Sequence, residues 1–302
     1  MSADPPDGEA LGLAMVLGAA VLWGLLGVLS AGLLALGVAA SEIGFWRAVL
    51  GGGAFLAHAL AARRLRPLPG RVAVATVAFA AIGVSLFYVS LVSSIDAGGV
   101  SLAFVLLYTA PAWVTLLAGP VLGERADARQ WLLAGVAVAG VALVSVARGE
   151  GVTPSFAAVA WGLAAGLSYA SYYLLGKRLM AFQPPVQLYG LALPLGALGI
   201  APFVTWSAKP PAAWALLAAA ALVSTYVAYL LYGLGLRRST ASRAVLVATV
   251  EPIVAGGLAW AVFGERLGAL GLVGAALVLA SAAASGVTPR RVRVSRPGPE
   301  GA

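Results

Sequence analysis

The sequence contains no cysteine and a single histidine, His58, among its 302 residues. The lack of cysteine excludes disulfides, thiolate metal sites and cysteine nucleophiles. A lone histidine also excludes most hydrolase triads and most imidazole metal sites. No Gly-x-x-x-x-Gly-Lys-Ser/Thr phosphate loop occurs in the chain, which argues against a nucleotide-driven pump. We therefore expect no catalytic residue, no bound metal and no cofactor.

Charged residues are scarce as well: they make up 10% of the chain, whereas hydrophobic residues make up 61%. A soluble domain carries roughly 25% charged and 45–50% apolar residues. Too little polar surface remains to cover a soluble globule, so the composition indicates an integral membrane protein. The net charge of +8 comes from basic residues in short stretches between apolar runs. This placement indicates orientation in a membrane, and we expect no nucleic-acid partner.

The apolar runs have the length of membrane-spanning helices, since about 20 mainly apolar residues cross the hydrocarbon core. Backbone groups in lipid must be paired within their own segment, and the sequence lacks the alternation of a β-barrel. The predicted fold class is all-α, a polytopic membrane protein with ten transmembrane helices. The predicted spans cover residues 11–35, 43–62, 72–93, 100–119, 130–147, 155–175, 185–205, 212–235, 243–263 and 267–287.

The basic residues are divided unequally between the two sides that these spans define. One side has 15 of the 19 Lys and Arg, the other side has 3, and Arg47 lies inside the second span. The positive-inside rule places the richer side, and with it both termini, in the cytoplasm. We expect a multi-pass protein of the cell (inner) membrane, in contact with the lipid bilayer. The basic residues 289–302 are expected to form a disordered cytoplasmic tail.

Two segments that lie 141 residues apart are similar. Residues 111–125 read PAWVTLLAGPVLGER, residues 252–266 read PIVAGGLAWAVFGER, and 7 of the 15 positions are identical. Because each half has five predicted spans, an odd number, the second half is predicted to run inverted relative to the first. Inverted repeats are typical of transporters in which a midplane site opens alternately to either side. The alternative is an old duplication that is kept only for packing.

These segments resemble the end of the fourth helix in each repeat of EamA-type transporters, a family of the drug/metabolite transporter (DMT) superfamily. The stretch SEIGFWRAVLGGGAF at 41–55 resembles the second helix of that family, where an Arg commonly follows an aromatic residue. The resemblance implies ten helices and the export or exchange of small metabolites, frequently amino acids. The domains expected are a tail over 1–10, a first EamA-like repeat over 11–149 and a second over 150–288.

Ionisable groups at membrane depth are costly, so each of them is a candidate for function. Glu251 is the strongest, because its counterpart in the first repeat is Ala110 and packing alone does not require a carboxylate there. We predict that Glu251 faces the central cavity and binds a cationic group or a proton; the alternative is a structural carboxylate that is protonated or paired. Arg47 has no counterpart in the second repeat. It either holds a substrate carboxylate or extends to the membrane interface.

Prolines and aromatic residues complete the predicted site. Pro111 and Pro252 lie at matching positions, and each is predicted to kink its helix and free a carbonyl group near the midplane. The aromatic residues of the spans either pack between helices or line the cavity. The candidates for substrate binding among them are Tyr108, Tyr226, Tyr229 and Trp161.

Other polar residues are expected to be mainly structural. His58 lies near the basic connection after the second span and is interpreted as structural or interfacial rather than as a proton relay. Glu124 and Glu265, in the two Gly-Glu-Arg ends, are expected to cap a helix or to pair with the adjacent Arg125 and Arg266.

The sequence as a whole favours a secondary transporter of small metabolites, an exporter or exchanger that works by alternating access as a monomer or homodimer. Glu251 would permit proton coupling. The alternatives are a membrane-embedded enzyme and a non-transporting structural membrane protein. An enzyme needs clustered His, Asp, Glu or Ser at a membrane boundary, and few of the 11 carboxylates lie within the predicted spans.

Overall fold

The computed structural model describes residues 6–146, 155–264 and 268–287 of the chain. These residues form helices joined by short connections, and no strand occurs among them. The all-α prediction is therefore confirmed for this part of the chain. The expectations for Glu265, Arg266 and the tail over 289–302 concern residues outside the described ranges and stay predictions.

The described residues of the first half form α1 (Pro6–Ala35), α2 (Ala40–Ala61), α3 (Gly70–Phe79), α4 (Phe87–Gly98), α5 (Val100–Leu107), α6 (Ala110–Leu122) and α7 (Ala128–Val146). A π-helical segment, Ala80–Leu86, makes α3 and α4 continuous. Between α5 and α6 the helix is interrupted at Tyr108 and Thr109, and Pro111 lies in the first turn of α6. Pro is tolerated there because a first-turn N–H has no partner within the helix.

The described residues of the second half form α8 (Phe156–Ser171), α9 (Lys177–Leu179), α10 (Pro185–Ile200), α11 (Pro211–Ala221), α12 (Ala228–Leu236), α13 (Ala241–Ala248), α14 (Glu251–Phe263) and α15 (Ala269–Val287). Two further π-helical segments, Tyr172–Gly176 and Leu222–Val227, make α8 continuous with α9 and α11 continuous with α12. A 3₁₀ turn, Ala201–Phe203, follows α10. Between α13 and α14 the helix is interrupted at Thr249 and Val250, so Glu251 is the first residue of α14.

Seven helical segments of the described chain are long and apolar enough to cross a membrane: Gly8–Ala35, Ala40–Ala61, Gly70–Gly98, Leu102–Leu122, Pro185–Phe203, Pro211–Leu236 and Ala241–Val262. Two further apolar helices, Ala128–Val144 and Ala269–Ser285, are shorter. The remaining predicted span, residues 155–175, corresponds to α8, which contains Ser168, Tyr169 and Ser171 near its end. The chain is thus a multi-pass membrane protein, and the number ten stays a prediction.

Helix boundaries recur along the chain at the offset of the sequence repeat. Adding 141 to the bounds of α5, α6 and α7 reproduces the bounds of α13, α14 and α15. Both α6 and α14 end at a glycine, Gly123 and Gly264, with a φ of +73°. This left-handed conformation is adopted by glycine without strain, and it ends the helix. The repeated sequence therefore specifies the same interruption and the same helix end twice.

The predicted local pair between Glu124 and Arg125 is replaced by more distant contacts. Glu124 follows α6 and forms an ion pair with Lys177 Nζ at 2.5 Å. It also accepts a hydrogen bond from the backbone N–H of Ala241, the first residue of α13, at 2.8 Å. Glu124 thus caps α13, since a carboxylate satisfies the unpaired N–H groups of a helix N-terminus. The capping part of the expectation holds, and the local pair does not.

α7 and α15 approach closely because glycines lie where they meet. A Cβ atom added at Gly274 would lie 2.5 Å from the carbonyl oxygen of Gly140, and one added at Gly140 would lie 2.8 Å from that of Gly274. Small residues at such positions let helix backbones touch within a membrane. Neither helix can carry a larger side chain here unless the two backbones separate.

We expect Gly274→Ala to lower the unfolding temperature of the purified protein in detergent, because the added methyl group collides with the backbone of α7. Overpacking of this kind costs about 1–3 kcal/mol of unfolding free energy. Gly135→Ala is the matched control, since no atom lies within 4 Å of the Cβ position at Gly135 in α7. The control should keep or raise the unfolding temperature, because Ala favours a helix over Gly by roughly 1 kcal/mol. Equal unfolding temperatures for the two variants would contradict the close contact.

Candidate functional site

A cavity of about 290 Å³ lies within the helix bundle, and both halves of the chain contribute to its walls. Its side chains come from α1, α2, α4, α5, α7, α8, α12 and α14 and from the interruption after α5. Most of the lining is aromatic or aliphatic, but two ionisable side chains, Arg47 and Glu251, also face it. An apolar cavity with a few polar groups is the usual form of a small-molecule site.

Two glycines flank Arg47 on its side of α2. Gly44 and Gly51 lie three residues before and four residues after Arg47, so the three positions share one side of the helix. A Cβ atom at Gly44 would lie 2.7 Å from the ring of Tyr88, and one at Gly51 would lie 2.7 Å from the Thr225 methyl group. The two glycines therefore let neighbouring segments close around the Arg47 side chain.

The Arg47 guanidinium is held on two sides. Its Nε donates a hydrogen bond to Thr225 Oγ1 at 3.1 Å, and its Cζ lies 5.8 Å from the centre of the Tyr88 ring. Thr225 lies in a π-helical segment and donates to the carbonyl of Ala220, five residues earlier. Among the hydrogen bonds of the described residues, none uses the terminal Nη groups of Arg47. The hydrogen bond from Nε thus fixes the orientation of the guanidinium plane, while the Nη groups remain available as donors.

Glu251 lies at the first position of α14, directly after the interruption of the helix. A carboxylate in the first turn is stabilised by the unpaired N–H groups and the positive end of the helix dipole. The Tyr108 hydroxyl is hydrogen-bonded to the Glu251 carboxyl group. The Tyr169 hydroxyl lies 3.5 Å from Glu251 Oε2, at the outer limit of a hydrogen bond.

Tyr169 is brought to Glu251 by the close packing of α8 on the interruption between α5 and α6. A Cβ atom at Gly166 would lie 2.6 Å from the carbonyl oxygen of Leu106 and 2.7 Å from Thr109 Oγ1. Only glycine allows this approach without displacing backbone. Tyr169, three residues further along α8, then points into the cavity.

The two charged groups of the cavity are not engaged in an ion pair. The described residues form three ion pairs, Glu124–Lys177, Glu42–Lys209 and Glu9–Arg243, and all three lie outside the cavity. Arg47 on α2 and Glu251 on α14 face the same space and form no ion pair with each other, although the charge of Arg47 acts on Glu251 across the cavity. Neither charge is therefore neutralised by an ion pair within the described part of the protein.

The structure brings five of the predicted site residues together. All five line the cavity: Glu251, Arg47, Tyr108, Tyr229 and Pro252. The arrangement joins residues that are more than 200 positions apart in the sequence, Arg47 and Glu251 among them.

The other three predicted site residues lie elsewhere. The Tyr226 hydroxyl is hydrogen-bonded to His58 Nδ1 at 2.7 Å, away from the cavity lining. Trp161 is 39% exposed on the surface of α8. Pro111 is buried in the first turn of α6, at the interruption but not at the cavity wall.

The sequence did not single out Trp23, Tyr88 and Tyr169 from the other aromatic residues of the spans, and it did not select Thr225. The first three belong to the aromatic residues that recur in the spans, and nothing in their local sequence separates cavity side chains from packing ones. The glycines offered a signal, because Gly44 and Gly51 lie on the face of α2 that carries Arg47. Their contact partners, Tyr88 and Thr225, are set by tertiary packing.

Sequence comparison with known proteins finds one family profile and two relatives, all of which are described as transporters. The sequence profile described as the EamA-like transporter family matches residues 10–146 and again residues 156–286. An uncharacterized transporter of Bacillus subtilis, YwfM, is 27% identical over 292 residues, which is 93% of this chain and 95% of that protein. An uncharacterized transporter of Archaeoglobus fulgidus is 28% identical over 191 residues, 63% of this chain and 68% of that protein.

A solved crystal structure of a protein shares the fold. It aligns with a TM-score of 0.77 over 90% of this chain and 95% of that chain, at 18% sequence identity. Together the profile matches cover most of the sequence, one in each half. This chain therefore belongs to the EamA-like transporter family.

Proposed function

We propose that the protein is a secondary transporter of small zwitterionic metabolites, with amino acids or related compounds as the favoured substrates. The observation that carries the proposal is the presence of Arg47 and Glu251 in one cavity, neither of them in an ion pair among the described residues. Transport proceeds by alternating access, and the protein acts as an exporter or exchanger. The family assignment supports transport rather than an enzymatic reaction.

The chemistry of the two charged groups fits an amino acid. A guanidinium donates two parallel hydrogen bonds to a carboxylate, and the Nη groups of Arg47 are placed to do so. Glu251 accepts hydrogen bonds from an ammonium group on the other side of the cavity. Aromatic side chains, including Tyr88 and Tyr169, cover the remaining surface. Desolvation of both charges of the ligand is then offset by two opposite charges of the protein.

The proposed topology is ten transmembrane helices in two inverted five-helix repeats, residues 11–149 and 150–288, with both termini in the cytoplasm. The recurrence of helix bounds at an offset of 141 supports the repeat. The excess of Lys and Arg in alternate connections supports the orientation. Under this topology α7, α8 with α9, and α15 are the three spans beyond the seven apolar segments. Residues of both halves line the cavity, which supports alternating access between two repeats.

Uptake of labelled amino acids into proteoliposomes tests the proposal directly. We expect uptake above that of empty liposomes, measured with and without an inward proton gradient. N-acetylated amino acids lack the ammonium group and methyl esters lack the carboxylate. Both should compete at least about tenfold less well, because each leaves one charge of the cavity unpaired. Equal competition by either analogue would contradict the two-charge site, and absence of any uptake would favour a structural role.

Glu251→Gln is expected to reduce amino-acid uptake by about tenfold or more, because an amide cannot balance the ammonium charge. If Glu251 also carries the coupled proton, the remaining uptake will no longer respond to the proton gradient. Asp96→Asn is the matched control, since Asp96 is an exposed carboxylate of α4 outside the cavity. The role of Glu251 fails if both variants transport at the wild-type rate with unchanged gradient dependence.

Arg47→Lys keeps the positive charge but removes the planar fork and the Nε donor to Thr225. We expect the KM for amino acids to rise by about tenfold, since a bidentate carboxylate contact is reduced to a point charge. The measurement is the concentration dependence of uptake, with the unfolding temperature as a check on folding. Wild-type kinetics in this variant would indicate that Arg47 serves packing alone.

A further inference from the structure

A cluster of aromatic side chains lies next to the cavity. We call it the tyrosine cluster; it comprises Trp23, Tyr172, Tyr173, Tyr189, Tyr229 and Tyr232. Tyr229 is its centre, with ring centroids 5.3 Å from Trp23, 5.5 Å from Tyr172 and 5.2 Å from Tyr189. Trp23 and Tyr229 also line the cavity, so the cluster forms part of the cavity floor.

The cluster lies between the cavity and one end of the helix bundle. Tyr169 on α8 lines the cavity. Tyr173 follows one turn later in the π-helical segment, and Lys177 follows after one more turn as the first residue of α9. Along α12, Tyr229 lines the cavity and Tyr232 follows in the next turn toward Ser239. Lys177 donates a hydrogen bond to the carbonyl of Ser239, so both helices reach the same end of the bundle.

That end is closed by polar contacts between distant parts of the chain. Lys177 binds Glu124, which caps α13 at Ala241. Arg243 on α13 forms an ion pair with Glu9 of α1 at 2.9 Å. These contacts link α1, α6, α9 and α13. They are ionic, and each of the four side chains is 10–20% exposed, so water reaches these pairs.

The cluster carries polar atoms that its own packing does not satisfy. Within the described chain, the hydroxyls of Tyr189 and Tyr232 and the indole N–H of Trp23 are buried and have no hydrogen-bond partner. Tyr189 and Tyr232 are both 0% exposed. A buried hydroxyl without a partner destabilises a fold, and Phe would fill the same space without that cost. Packing therefore does not explain why these positions are tyrosine.

We propose that the tyrosine cluster is the closed inner section of the transport path, and that the hydroxyls of Tyr189 and Tyr232 bind polar groups of the substrate when the cavity opens toward this end. The proposal rests on the transport function proposed above. In the present conformation the cluster separates the cavity from the Glu124–Lys177 end. When that end opens, the substrate and the water that accompanies it form hydrogen bonds with the two hydroxyls. Only the closed state then carries the free-energy cost of unpaired hydroxyls.

The first test removes only the hydroxyl. Tyr232→Phe and Tyr189→Phe should keep or raise the unfolding temperature in detergent, because each removes a buried polar atom that has no partner. The same variants should slow proteoliposome uptake of a labelled pool of common amino acids by about threefold or more, since a hydrogen bond to the moving substrate is lost. Both variants transporting at the wild-type rate would overturn the proposal.

The second test uses the absence of cysteine from the chain. A single cysteine, Tyr232→Cys, is treated with a membrane-impermeant thiol reagent in proteoliposomes, with and without the amino-acid pool. We expect labelling that increases several-fold during transport, because opening exposes the position. Leu217→Cys is the control, since Leu217 is also 0% exposed but lies in a separate cluster with Leu33 and Ile43; it should stay unlabelled.

Uptake by the wild-type protein in the same preparation distinguishes failure of the inner path from failure of the proposed transport function. Active wild-type protein with an unreactive cysteine at position 232 would overturn the inner path and leave the transport function intact. If the wild-type protein moves no amino acid and the cysteine never reacts, the proposed function fails together with the inference.

Discussion

The charges of Arg47 and Glu251 in an apolar helix bundle impose the constraint on which the rest of the site depends. A buried charge is tolerated only where polar groups of the protein surround it. Arg47 meets this condition through Thr225 and the ring of Tyr88. Glu251 meets it at the start of a helix, where Tyr108 also reaches it. Each group thus has polar or aromatic partners of its own, and the two charges act on each other only across the cavity, without an ion pair.

Irregular helix geometry supplies the polar groups that these charges need. A regular helix pairs its own N–H and carbonyl groups and offers little to a neighbour. The interruption before α14 exposes a helix N-terminus beside Glu251, and the π-helical segment Leu222–Val227 presents Thr225 to Arg47. Glycines let these segments come close, as Gly51 does for Thr225. Two departures from ideal helix therefore lie next to the two charged groups of the cavity.

The repeat provides a scaffold, whereas the site itself is asymmetric. α6 and α14 have matching bounds and matching glycine ends, yet the position that carries Glu251 in α14 carries Ala110 in α6. Ala110 is fully buried and carries no charge. The cavity therefore has one acidic and one basic group, contributed by different halves. Under the proposed function, this polarity orients a ligand with two opposite charges, which a symmetric site would not do.

Local sequence alone determined the helical class, the membrane environment and the repeated segment, and it singled out Arg47 and Glu251 as candidates, because apolar run length, charge scarcity and rare intramembrane charges are readable without knowing any contact. Tertiary structure alone decided which aromatic residues share the cavity. Tyr226 and Tyr229 lie one turn apart on the same segment, yet only Tyr229 lines it, while Tyr226 meets His58. The physical reason is that a helix in lipid has apolar residues on every side. Helical periodicity therefore gives no inward direction, and only the packing of neighbouring helices defines which side chains meet.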